Sequence, residues 1–324
     1  MLAFALAALS APHAYAQGET AAPSPLAGAY AAPAAVPRAE CFPVETLPAD
    51  LRPLAEELLL KILDSEALYT VVGGLKPMSS GYMQTHLASD KPDTAGIERT
   101  RQALSALRCG DWFRADLLMF RRVGTDKKRY LEGVIVCVPT YRRMIGTYAP
   151  FWAAWGVTPG TDPLAAVVFA ENDDTSARNR ALGYLYGYPK PAVDFFVAGM
   201  DAGKDTKKIT PRDFRQVPTF AAASGQFVYA VPKGTPESAE DIRLRREAGH
   251  ILAAYRERRA RYIGDGKPGV IALLRDWFDD GTGHCSPANA RFYQNGGTVP
   301  DDGRGAAPAK RDEPGGNTGV YRAP

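Results

Sequence analysis

Large apolar side chains are sparse from Gln17 to Glu40 and again from Ser286 onward, so a compact fold must be built from the residues between those stretches. The first stretch is mostly Ala and Pro, and the second is dominated by Gly, Pro, Asn and Asp. Neither can bury enough apolar surface to offset the entropy of ordering its backbone. The reading is a disordered linker over 17–40, a disordered tail over 286–324, and one domain over 41–285. At about 245 residues that domain is large enough for a full hydrophobic core.

Ahead of the linker, Leu2 to Leu9 is apolar, Ala14-Tyr15-Ala16 has the small-x-small pattern cut by signal peptidase, and Gln17-Gly18-Glu19 is polar. This predicts a secretory signal peptide over 1–16. The positive charge that usually precedes the apolar run is missing, which points to a start further upstream. The run is too short to span a bilayer, which takes about 20 residues, and no later segment qualifies. The expected location is the periplasm or the extracellular space. A net charge of +3 gives no field to draw in nucleic acid, and export removes that partner further.

Four cysteines, Cys41, Cys109, Cys137 and Cys285, would then meet an oxidising compartment. Cys41 and Cys285 flank the periodic segments, so a disulfide between them would staple the two ends of the domain. Cys137 lies in the apolar run Gly133 to Val138 and reads as core.

Within the domain, hydrophobic period sorts the segments. Leu51, Leu54, Leu58, Ile62 and Leu68 predict a helix over 49–71, stopped by Gly73-Gly74 and Pro77. A second helix follows over 94–108. The period then shortens, and 112–120 and 129–138, separated by Gly124-Thr125-Asp126-Lys127, predict a long antiparallel hairpin with helices covering one face. Met144, Tyr148, Phe151, Trp152 and Trp155 predict a helix over 141–155, whereas 163–169 is an apolar run that periodicity does not assign. Helices over 175–186 and 191–200 break at Gly187-Tyr188-Pro189. Asp173 or Asp174 is placed to cap the first of them. A strand is expected over 226–231. A long helix over 235–263 has acidic residues in its first turns and arginines in its last, and a final helix runs over 268–278. The fold class is α+β: one helix-rich domain on a small antiparallel sheet, made of the 111–138 hairpin plus the strand near 226–231.

Strong catalytic signatures are missing: there is no H-E-x-x-H, G-x-S-x-G, Walker A loop or G-x-G-x-x-G. Glu247 and His250 form a single E-x-x-H, half of what a di-iron bundle needs, so no metal and no cofactor are expected. Three stretches retain functional promise. Gly73 to Gly81 combines glycines with Lys76, Ser79 and Ser80, and His86 follows; Lys76 or His86 could activate a serine for acyl transfer. Tyr184 and Tyr188 repeat at helical spacing in 182–189, which would make a sugar or peptide platform if exposed and core if buried. Arginines including Arg256 and Arg259 could meet an anionic partner. The expected function is an exported, non-enzymatic protein that binds an envelope protein or glycan. The alternative is an exported hydrolase working through Lys76, Ser79, Ser80 and His86.

Overall fold

The computed structural model describes residues 34–286 apart from 174, 207 and 208. The expected signal peptide, most of the expected linker and all of the tail beyond Ser286 lie outside the described residues. The chain order is β1 (Val36–Pro37), α1 (Arg52–Asp64), α2 (Leu68–Val71), β2 (Met78–Ala88), α3 (Thr94–Ser105), β3 (Phe113–Val123) and β4 (Lys128–Cys137). There follow α4 (Val138–Thr147), α5 (Ala149–Ala153), α6 (Pro163–Asn172), α7 (Ser176–Leu185) and α8 (Lys190–Thr206). The chain closes with β5 (Arg212–Val217), β6 (Phe227–Pro232), α9 (Ala239–Tyr262), α10 (Val270–Phe278) and β7 (His284–Cys285). The class is α+β, as the mixture of periods predicts.

The predicted hairpin is β3–β4, and it belongs to a three-stranded antiparallel sheet of order β2-β4-β3. The strand that completes the sheet differs from the expectation. It is β2, which begins inside the stretch read as a loop and pairs Ser79 with Ile135 and Ser80 with Val134. The strand expected over 226–231 is present as β6, but it pairs with β5 in a separate two-stranded ribbon. Gly81 and the polar residues Gln84, Thr85 and His86 hid β2, because only Met78, Ser79 and Tyr82 of this edge strand are buried.

Both faces of the sheet are covered. Along the central strand β4, Leu131, Ile135 and Cys137 enter a core built from α1, α2, α3, α9, α10 and the β5–β6 ribbon. Val134 and Val136 enter a second core, made by α4 to α8. This is the two-residue period of a strand read out on two layers. Gly133 makes room for the Tyr82 ring, since a Cβ there would lie 2.8 Å from it.

Local chemistry sets the helix limits. The predicted 49–71 helix breaks at Ser65, whose side-chain oxygen accepts from the Ala67 N–H. The unassigned run 163–169 is the start of α6, capped by Asp162 accepting from Leu164 and Ala165 N–H ahead of Pro163. Thr175, not Asp173, caps α7, while Asp173 accepts from the Thr175 N–H and hydroxyl. α7 ends in a Schellman motif: Gly187 has φ +73°, its N–H donates to Tyr184 O at 3.0 Å, and Tyr188 N–H donates to Gly183 O at 3.0 Å. α9 opens with a capping box in which Ser238 and Asp241 satisfy each other's backbone N–H.

The cysteines pair otherwise than expected. The disulfide is Cys41–Cys109, and Cys137 and Cys285 are free and buried. Composition cannot show that the turn carrying Cys109 lies against Cys41, where Phe42 N–H donates to Arg108 O at 2.7 Å. Part of the expected linker belongs to the fold: Val36 and Pro37 pair with Cys285 and His284, and Val36 is buried. Among the described residues no helix is long and apolar enough to cross a membrane.

Candidate functional site

Two of the glycine-bearing stretches singled out in the sequence meet in space. Gly73 and Gly74 leave α2 with φ of +78° and +59°, values that L side chains rarely adopt. Gly187, at the end of α7, packs on the same segment. A Cβ on Gly187 would lie 3.0 Å from Leu75 O and 3.1 Å from both Lys76 Cα and Pro77 Cδ. Gly73 is pressed against Ile251 of α9, where a Cβ would collide with the side chain. Two tight approaches therefore bring the end of α7 and the middle of α9 against the segment that follows α2.

At that point lies a cleft of about 390 Å³, lined by Gly73, Gly74, Leu75 and Gly187 together with Arg143, Glu240, Arg243 and Glu247. Arg143 extends from α4, with Nη2 3.5 Å from Gly74 O, a marginal contact that leaves an exposed guanidinium at the rim. Arg243 and Glu247 lie one turn apart on α9, the Arg243 Nη1 reaching both carboxylate oxygens at 3.0 and 3.2 Å, and Glu247 is buried beneath it. Glu240, near the start of α9, adds an exposed carboxylate. The lining thus carries charge of both signs on helices and no aromatic ring, with Leu75, Pro189 and Leu244 supplying its apolar part.

Behind the floor is a buried polar network. The Lys76 side chain is fully buried, and its Nζ is 2.6 Å from Glu66 Oε2, whose side chain is 14% exposed. The ammonium also lies 4.4 Å from the centre of the Phe227 ring and 5.5 Å from that of Tyr186. Burial holds the Lys76 pKa below its ordinary value, and Glu66 opposes that shift. Ser79 shares a 2.8 Å hydrogen bond with Thr70, and Ser80 one of 2.8 Å with the Tyr186 hydroxyl. Burial drives that tyrosine well above its usual pKa.

His86 stands apart from this network. It is exposed near the far end of β2, its ring against Tyr130, opposite which it pairs on β4. It lies six positions along the strand from Ser80, roughly 15–20 Å away. Tyr184 is buried, its ring stacked 3.8 Å from Tyr148, and Tyr188 packs on Phe227 and Tyr229. Arg259 is held by Asp64 at 2.8 Å and lies over Phe220, whereas Arg256 is exposed. None of these four lines the cleft.

Sequence reasoning missed Arg143, Glu66 and the part played by Glu247. Arg143 sits in a helix noticed for its aromatic stripe, and nothing local signals which arginine faces a glycine loop. Glu66 is ten residues from Lys76, a spacing that no regular element brings together. The E-x-x-H pair is split, with Glu247 buried and His250 exposed. Among the described residues, the group whose ligand atoms converge closely enough for a metal ion is Cys41, Cys109 and Cys285, and two of its sulfurs are bonded to each other. No protein family, curated protein or solved structure matches this chain.

Proposed function

We propose that the chain is an exported, non-catalytic binding protein that takes a polar segment of a protein partner into the cleft between Gly73-Gly74, Gly187 and α9. The observation that carries this reading is the cleft itself, lined by Gly73, Gly74 and Gly187 and carrying the exposed Arg143 guanidinium and Glu240 carboxylate. Such a surface suits an extended peptide that carries both charges and amide groups. A glycan is less well served, because sugar rings bind best on exposed aromatic faces and the two tyrosines that could supply them are packed away from the cleft. Export is supported by the apolar Leu2 to Leu9 run with Ala14-Tyr15-Ala16, and by the Cys41–Cys109 bond, which persists best where thiols are oxidised.

Against the hydrolase reading stand the sealed ammonium of Lys76, its engagement with Glu66 and the distance of His86 from both serines. A nucleophile and its base must come within hydrogen-bond reach. The test compares the mature protein with R143E and G187L variants of unchanged circular dichroism for capture of proteins from its own envelope fraction. A partner protein retained by the wild type and lost by both variants is expected. A partner held equally by all three, or turnover of ester or amide substrates that S80A abolishes, would overturn the proposal.

A further inference from the structure

Three sulfur atoms meet where the first and last strands of the described residues pair. The Sγ atoms of Cys41, Cys109 and Cys285 all lie within 4.8 Å of one another, and all three residues are fully buried. Two of them form the disulfide, and the third is a free thiol beside it. The arrangement is fixed by backbone on every side. Cys285 lies on β7 opposite Val36 of β1 and bridges to Asp279. Cys41 bridges to Cys109, and the Cys41 carbonyl accepts from Arg275 Nε at 2.8 Å. Gly110, next to Cys109, fits tightly under Val36, where a Cβ would lie 2.7 Å from Cγ2. The fourth cysteine, Cys137, is elsewhere, its sulfur 3.3 Å from Thr140 Oγ1.

A thiol held this close to a disulfide can attack it without help from solution, because exchange needs only a thiolate that can reach one sulfur of the bond. We propose that Cys285 is a resident nucleophile for the Cys41–Cys109 disulfide, so that the crosslink can migrate onto the C-terminal strand of the domain. Cys285 gives up its proton, and its sulfur attacks Sγ of Cys41 or Cys109. One S–S bond forms as the other breaks, and the displaced cysteine leaves as a thiolate and takes up a proton. No oxidant or reductant is consumed. The migration decides whether β7 is covalently tied to the body of the domain or held there without a crosslink. Because all three sulfurs are buried, solution thiols have poor access and the exchange stays internal.

The decisive experiment uses the wild-type mature protein, held without oxygen or added oxidant near pH 10, where about a tenth of a thiol that burial pushes up to about 11 is ionised. After acid quench and alkylation, its crosslinks are mapped by mass spectrometry. The expected result is loss of part of the Cys41–Cys109 linkage, matched by a linkage containing Cys285 and an equal amount of newly free Cys41 or Cys109, with Cys137 remaining a thiol. A C285S protein treated alike should keep Cys41–Cys109 complete. Retention of Cys41–Cys109 alone in the wild type overturns the proposal, as does any linkage through Cys137, which would mark scrambling in unfolded chains. Equal loss of the linkage in C285S would also overturn it.

Discussion

Replacing Glu66 with Gln should cost far more stability than replacing Lys76 with Met, although each removes one member of the same ion pair. At 2.6 Å and an effective dielectric constant near 20, the attraction between the two charges is about 6 kcal/mol. Taking each ion out of water costs several kcal/mol, so the pair contributes little net stability. The two partners are not equally sealed, however. In E66Q a fully buried ammonium keeps an amide oxygen and the Phe227 and Tyr186 rings, the nearer of which contributes about 2 kcal/mol, and an uncompensated buried charge costs about 3–5 kcal/mol. In K76M the side-chain volume is kept, and the partly exposed Glu66 carboxylate can turn to water, so the cost should stay below about 2 kcal/mol. The double variant should resemble K76M, because removing Glu66 then strands nothing.

The assay is urea unfolding followed by tryptophan fluorescence, with unchanged m-values as the check that the same transition is being read. The pH dependence gives a second readout. Burial lowers the folded-state pKa of Lys76 below its ordinary 10.5, so the unfolded chain binds more protons in the window between the two values and stability rises with pH there. Removing Glu66 lowers the folded value further. The deficit of E66Q should therefore be greatest at neutral pH and shrink as pH approaches 10.5. An E66Q deficit below about 1 kcal/mol, or a K76M deficit larger than that of E66Q, would refute the reasoning from unequal burial.

Three further outcomes are expected. G187A should destabilise by about 2 kcal/mol in the same titration, since it places a side chain at a left-handed φ and against Leu75 and Lys76. D241N should cost about 1–3 kcal/mol near neutral pH, because Asp241 accepts from the Tyr229 hydroxyl at 2.6 Å and from Ser238 N–H and Oγ at 2.9 Å each. Burial raises the Asp241 pKa, but these hydrogen bonds and Arg215 outweigh it and leave the folded value low. Its stabilisation is therefore complete above the ordinary 3.8 and lost as pH falls through the folded value, a loss D241N should not show in acid unfolding. Migration of the disulfide onto Cys285 should quicken about tenfold per pH unit and level off near pH 11, as timed alkylation would record. Burial pushes that thiol up to about 11, Arg38 and Arg275 lower it, and Asp279 and Asp280 raise it.

What could be read from the sequence was whatever depends on local period. The β3–β4 hairpin, α9 and α10 are near their predicted places because apolar spacing and end signals agree there. β2 was misread because its polar and glycine residues look like a loop until β4 is beside it. β6 was legible but its partner β5 was not, because four of the six residues from Arg212 to Val217 are polar, and pairing partners are not written in one strand alone. At the site, Gly73, Gly74 and Gly187 were legible as backbone breaks, but their contact depends on packing across the whole domain. Lys76 and the serines were legible as chemistry, yet their burial was not, because a fully buried lysine needs the distant Glu66 to be tolerated at all.

The most direct test of the binding cleft replaces Arg243 with a photo-crosslinking amino acid and, in a second protein, places the same group at Arg246, which is exposed on α9 but does not line the cleft. Both are illuminated in the protein's own envelope fraction. The account predicts a defined crosslinked partner from position 243, absent from position 246 and diminished when R143E is added. Equal products from both positions, or none from 243 in a protein that still folds, would contradict it.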